Sequence, residues 1–345
     1  MRAKVWRPGR AKLWTRIGAG VVVAGAVGLG LVAVPGGAGA APELPPVSAE
    51  DLVASVGKTD PGPFNGTVEV DNALGLPAIP GAPAQLANGT TTARIWSGGG
   101  GRGRVSLPSA QGEQTLVSDG TTAWSYDSAD RTATEKAVTP GQEHPQAADP
   151  TRSATDVIAE LRKTSSVSVD GTAEVAGRPA YELVLAPNPS ERTLLREVRV
   201  AVDAEKRVPL RLTVLANGSS DPAFQVGFRD LAFGPQDPSL FTFTPPPGTT
   251  VRDAPEHPQG GRPADAQQPT VVGDGWDTVV VGKVPAQQGR QPGAPDLTRL
   301  GTPVSGTWGS GRLITTTVAS AIVTDDGRVA AGAVPEQVLT EALAK

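Results

Sequence analysis

Cysteine is absent from the 345 residues, and histidine occurs only twice. Without cysteine no disulfide framework can staple the fold, so the core must stabilise itself. The same absence removes any thiol nucleophile and any covalent lipid anchor on an N-terminal cysteine. His144 and His257 are far apart, each followed by a proline, and two distant histidines cannot supply a zinc-ligand spacing. No G-x-S-x-G elbow occurs. The glycine run Ser97–Gly103 lacks the Lys-Ser/Thr pair of a phosphate cradle and reads as a hairpin connection. Groups that titrate near neutral pH are therefore scarce, which argues against acid–base or nucleophilic catalysis. Neither an enzyme nor a cofactor is expected.

Basic residues are also scarce, except at one end. Arg2, Lys4, Arg7, Arg10, Lys12 and Arg16 precede an apolar run from Ile17 to Val34, then Pro35 and the small-residue pattern Ala38-Gly39-Ala40. This order predicts a secretory signal peptide over residues 1–40. Its retention as a membrane anchor is the alternative, since the run is just long enough to span. Cleavage after Ala40 would leave 25 basic against 35 acidic residues, a net charge of −10. Such a surface, without basic runs, argues against nucleic acid or an anionic membrane as partner. The exported chain is expected to act as a monomer.

What is abundant is alternation. Tyr181, Leu183 and Leu185 alternate with Glu182 and Val184, and Val198, Val200 and Val202 with Arg199 and Ala201. Leu210, Leu212 and Val214 alternate with Arg211 and Thr213; Phe224, Val226 and Phe228 alternate with Gln225 and Gly227. Period two places each apolar set on one side of an antiparallel sheet. Earlier strands are predicted at 67–70, 95–96, 104–107, 114–117 and 122–126. Asp119-Gly120 and Asp325-Asp326-Gly327 are hairpin turns. Ser48 with Asp51 resembles a capping box opening a helix that carries Leu52, Val53 and Val56. Asp149 and Pro150 open a second helix with Val157, Ile158 and Leu161. Leu240-Phe241-Thr242-Phe243 followed by Pro245-Pro246-Pro247 is expected to end the sheet. Residues 252–269 form a low-complexity linker, and 287–295 a loose loop. From residue 270 a strand over 276–284, a hairpin and a closing helix either extend the main sheet or form a small lobe.

From Asp149 to Val251 the order of features resembles the LolA-like lipoprotein-carrier family, including actinobacterial exported relatives. The resemblance rests on the short helix, then Val175-Ala176-Gly177-Arg178-Pro179-Ala180-Tyr181, Val200-Ala201-Val202-Asp203, Val208-Pro209-Leu210-Arg211-Leu212, Val226-Gly227-Phe228-Arg229-Asp230-Leu231 and Leu240–Phe243 with Pro246-Pro247-Gly248. It implies a mainly β, α+β fold: an incomplete antiparallel β-barrel over 41–251, with a short helical lid and a C-terminal hairpin/helix extension over 270–345. It further implies an apolar chamber for the acyl chains of lipids or lipoproteins. Sheet candidates for its lining are Leu183, Leu185, Val200, Leu210, Leu212, Val214, Phe224, Val226 and Phe228. Lid candidates are Leu52, Val56, Val157, Ile158 and Leu161, with a gap expected beneath them. A filled core is the alternative account of the same residues. The appended lobe is similar to that of the related RseB/MucB-type regulators of anti-sigma-factor proteolysis, which implies a membrane protein partner as the second reading.

Overall fold

Each of the four alternating segments becomes a strand, and their shared period lets them pair in a single sheet. The computed structural model of the chain describes residues 42–76, 88–109, 111–138, 157–253, 269–283 and 301–345. The expected signal peptide at 1–40, the Asp149-Pro150 cap, both histidines, nearly all of the 252–269 linker and the 287–295 loop lie outside the described residues. Among those described, no helix is long and apolar enough to cross a membrane.

Twelve strands form one open sheet. They are β1 (Phe64–Asn72), β2 (Gly89–Gly99), β3 (Arg102–Ser109), β4 (Gly112–Asp119), β5 (Thr122–Asp127), β6 (Thr132–Ala137), β7 (Ser165–Val175), β8 (Arg178–Pro187), β9 (Leu195–Asp203), β10 (Pro209–Ala216), β11 (Pro222–Phe233) and β12 (Thr250–Asp253). Their spatial order is β12-β6-β5-β4-β3-β2-β1-β11-β10-β9-β8-β7. Two hairpin-connected halves therefore meet where β1 pairs with β11. Edge strands β12 and β7 do not pair with each other, so the barrel stays incomplete. The strands found are longer than the short apolar cores suggested, because polar and glycine residues flank each core and still pair.

The prolines after Phe243 do not end the sheet. The chain makes a 3-10 turn at Pro238–Phe241 and crosses strands β2 to β5. It then adds β12, parallel to and against β6. This strap is held by aromatic packing: Phe243 lies 5.5 Å from Trp124 and 5.6 Å from Tyr126 between ring centroids. Phe241 is buried directly over Gly98, where a Cβ would stand 2.6 Å from its ring. Trp124 thus serves packing.

Two helices lie on the sheet. The first, α1 (Ala49–Lys58), opens as expected, with the Asp51 N–H donating to Ser48 Oγ at 3.1 Å and the Ser48 hydroxyl donating to the Asp51 carboxylate at 2.7 Å. The second, α2, spans 157–161 of the described residues.

Residues from 270 onward build a second, six-stranded sheet rather than extending the first. Its strands are β13 (Thr270–Val272), β14 (Val279–Lys283), β15 (Thr302–Gly306), β16 (Gly309–Thr315), β17 (Ser320–Thr324) and β18 (Arg328–Gly332), in the order β13-β14-β18-β17-β16-β15. Asp325-Asp326-Gly327 turns β17 into β18 as its sequence requires, with Gly327 at φ +85°. Helix α3 (Glu336–Leu343) buries Val338, Leu339 and Leu343 against Val279, Ile322 and Ala330, giving this lobe its own core. Polar contacts tie the lobe to the end of the large sheet. Leu194 N–H and Thr193 Oγ1 both donate to the Ala333 carbonyl, at 2.8 and 2.6 Å. Arg192 grips Glu341 bidentately at 2.8 Å, and Thr317 N–H reaches the Leu74 carbonyl at 2.8 Å.

Candidate functional site: an apolar sheet face with a partial lid

Residues directly opposite each other on neighbouring strands share a face. The register aligns Leu183, Val200, Leu212, Val226 and Val70 in one row across β8, β9, β10, β11 and β1. Leu185, Val198, Val214 and Phe224 form the next row. Tyr181 and Val202 begin a third. Seven of the nine sheet candidates therefore lie together on one continuous apolar face. Strand alternation carries that face further, through Ile95, Val105 and Leu116 on β2, β3 and β4. Leu116 is 46% exposed. Ile95 and Val105 could have been found from the sequence, since Ile95 alternates with Arg94 and Trp96 and Val105 with Arg104 and Ser106.

Leu210 and Phe228 lie elsewhere than expected. Both pack with Val175, Ala180, Ala201 and Leu231 in a second cluster. For Leu210 the cause is irregular pairing, since the β9–β10 register slips between Pro209 and Arg211; Phe228 stands opposite Val68 as the last regular pair before the β1–β11 slip and packs at the end of its row. A bulge breaks the period of two at Leu210.

The gap expected beneath the helices is filled. Leu52 and Ile158 are fully buried in one cluster with Ala49, Val167, Tyr181, Leu183 and Val202. Val56, Leu161, Leu185 and Val200 pack against its margin, and Val157 is half-buried on α2. All strand residues in this cluster come from β7, β8 and β9 or the turn after β9. Among the described residues none comes from β10, β11 or β1. Among the described residues the helices thus cover the β7 to β9 part of the apolar face, and Leu212, Val214 and Phe224 are half-buried beyond them.

The opposite face of β8 to β10 is charged. Arg199 donates to Glu197 at 2.9 Å and to Glu182 at 3.1 Å, while Arg211 donates to Glu182 at 3.0 Å. Hydrogen bonding to Glu197 outweighs partial burial and holds the Arg199 pKa above its ordinary value. Alternation thus yields a wall that is wet on one side and oily on the other. Such a face can hold apolar chains by burying area, at roughly 0.8 kcal/mol per methylene group. Among the described residues no cluster of histidine, aspartate and glutamate is suited to a metal ion.

No family model and no curated protein matches the chain. Among solved structures it is similar to the Pseudomonas aeruginosa MucA/MucB complex, at 16% identity and a TM-score of 0.45, covering 86% of this chain and 96% of that one. It is similar to a LolA superfamily protein from Nitrosomonas europaea at 12% identity and a TM-score of 0.25, covering 57% of this chain and 99% of that one. An uncharacterised conserved protein from Thermus thermophilus is similar at 12% identity and a TM-score of 0.37, over 60% of this chain and 99% of that one. By architecture the chain is a mainly β protein with one large open sheet under a short helical lid and a second, smaller sheet.

Proposed function

We propose that the protein is an exported, non-enzymatic carrier that shields the acyl chains of a lipid or lipoprotein on the apolar face of its large sheet. One observation carries this: the rows through Leu212, Val214, Phe224 and Val226 continue past the strands that α1 and α2 cover. A sheet face of this breadth is costly to leave against water and well suited to alkyl chains. The proposed ligand region is the part of this face beyond the lid. Leu52, Ile158 and Leu183 hold the lid down, while the half-buried Leu212, Val214 and Phe224 meet the cargo. Organic extraction of natively purified protein, followed by mass spectrometry, tests the proposal. Lipid is expected at near-stoichiometric yield and is expected to be lost in Leu212→Glu and Phe224→Glu. Consistent absence of lipid, with no uptake of added acyl ligand, would remove the carrier role.

A second role is favoured by the smaller lobe. Val271 and Val280 pair on the face of its sheet away from α3 and are 55% and 44% exposed. Such a pair suits contact with a membrane-bound signalling protein. Crosslinking in cells with the full chain and with residues 270–345 deleted separates the two roles, since only a docking lobe would lose a partner.

A further inference from the structure

Arg207 sits in the loop between β9 and β10 with φ +55°, a left-handed conformation that an arginine adopts only under constraint. The constraint comes from Asp203. Its side chain is fully buried, and Oδ1 accepts the backbone N–H groups of Glu205 at 2.8 Å and Lys206 at 2.6 Å. Oδ2 accepts from Arg178 Nε. The backbone closes the loop, with Arg207 N–H donating to the Asp203 carbonyl at 3.1 Å and Asp203 N–H to the Val208 carbonyl at 2.9 Å. Arg207 is therefore aimed by its surroundings rather than by its own preference.

Its neighbouring cations are neutralised. Arg178 is paired with Asp203 and Glu205, and Lys206 with Glu205 at 3.2 Å. Among the described residues Arg207 has no ion pair. Its guanidinium lies 5.1 Å from the centre of the Tyr181 ring, and its Nη1 is buried without any hydrogen-bond acceptor. A buried guanidinium N–H without an acceptor is costly, and few such groups survive without a purpose. Tyr181 and Val202 are the last row of the apolar face. The loop thus places one unpaired cation where the oily rows end, beside a tether held by the Tyr181 hydroxyl donating to the Pro45 carbonyl at 2.9 Å and Thr172 to the Pro42 carbonyl at 2.7 Å.

We propose that Arg207 receives the phosphate of an anionic lipid headgroup whose chains lie along the rows through Leu212 and Val226. A guanidinium fork matches two phosphate oxygens at once, and the charge-assisted bonds are about twice as strong as neutral ones. The assignment rests on the carrier role proposed above.

The test uses the full chain and two lipids with identical chains, dioleoyl phosphatidylglycerol and dioleoylglycerol, each offered from phosphatidylcholine vesicles. The wild type is expected to take the phosphatidylglycerol about tenfold more tightly or better. Arg207→Gln is expected to bring that ratio near one, and Arg207→Lys to keep part of it. Arg207→Gly, which suits the left-handed backbone, is expected to lose the preference while melting no lower than wild type, so that unfolding cannot account for the loss. Equal uptake of both lipids by the wild type, or a full preference in Arg207→Gln, overturns the assignment and leaves the carrier role standing. Uptake of neither lipid overturns both. Inorganic phosphate that competes away the preference at concentrations equal to the lipid's would show free phosphate as the ligand and likewise overturn it.

Discussion

The Trp276 indole reaches from the smaller sheet to the edge strand of the larger one, its Nε1 donating to Ser165 Oγ at 2.7 Å. Ser165 is buried, so the bond is shielded from competing water. Trp276 is anchored a second time, its backbone N–H donating to Glu191 at 2.7 Å. Trp276→Phe keeps the ring bulk and removes the donor, leaving the Ser165 hydroxyl without its partner. A loss of about 1–2 kcal/mol in denaturant unfolding is expected. Limited proteolysis should release the lobe faster than in wild type, because among the described residues no apolar cluster includes residues of both sheets.

Asp203 gives a pH-dependent prediction. Burial alone would raise its pKa; the Arg178 guanidinium and the N–H groups of Lys206 and Glu205 outweigh burial and hold it below the ordinary aspartate value. A carboxyl depressed in the folded state contributes stability that is present above its unfolded pKa, near 4, and is lost as pH falls through the folded value. Asp203→Asn should therefore destabilise by roughly 3 kcal/mol at pH 7. The difference from wild type should shrink below about pH 4 when urea midpoints are compared.

The partly lidded face predicts unequal costs for similar truncations. Leu52→Ala empties a fully buried site under the helices and should cost about 3 kcal/mol. Leu212→Ser, on the half-buried part of the same face, should cost about 1 kcal/mol. Equal losses in thermal or urea unfolding would mean that the region around Leu212 is packed as tightly as the lid.

The strap over β2 to β5 can be tested through Gly98. A methyl group there would meet the Phe241 ring at 2.6 Å, so Gly98→Ala should displace Phe241 and cost about 1–3 kcal/mol. Adding Phe241→Leu should recover part of that loss, giving a measurable coupling energy in a double-mutant cycle.

The Ser48 cap contributes locally. Ser48→Ala removes the acceptor for the Asp51 N–H and should cost about 1 kcal/mol, read by urea unfolding.

The β8 to β11 rows, the Ser48 cap and the Asp325-Asp326-Gly327 turn were all legible in the amino-acid sequence. Each depends on neighbours within a few positions: period two follows from the pleat, a cap from one side chain and one N–H, a hairpin from residues that tolerate positive φ. Strand β6, with its polar run Thr132-Ala133-Thr134-Glu135-Lys136, carried no apolar alternation to betray it, and β12 is recruited only because the Phe241–Phe243 strap brings it beside β6. The slip at Leu210 is settled between strands and leaves no local trace. Neither does the extent of the lid: Leu52 and Ile158 look alike whether they roof a hollow or plug it. The sequence by itself determined which side chains share a face. Only the tertiary structure decided which part of that face is covered, and where Arg207 stands beside it, because pairing and coverage depend on contacts between residues far apart in the chain.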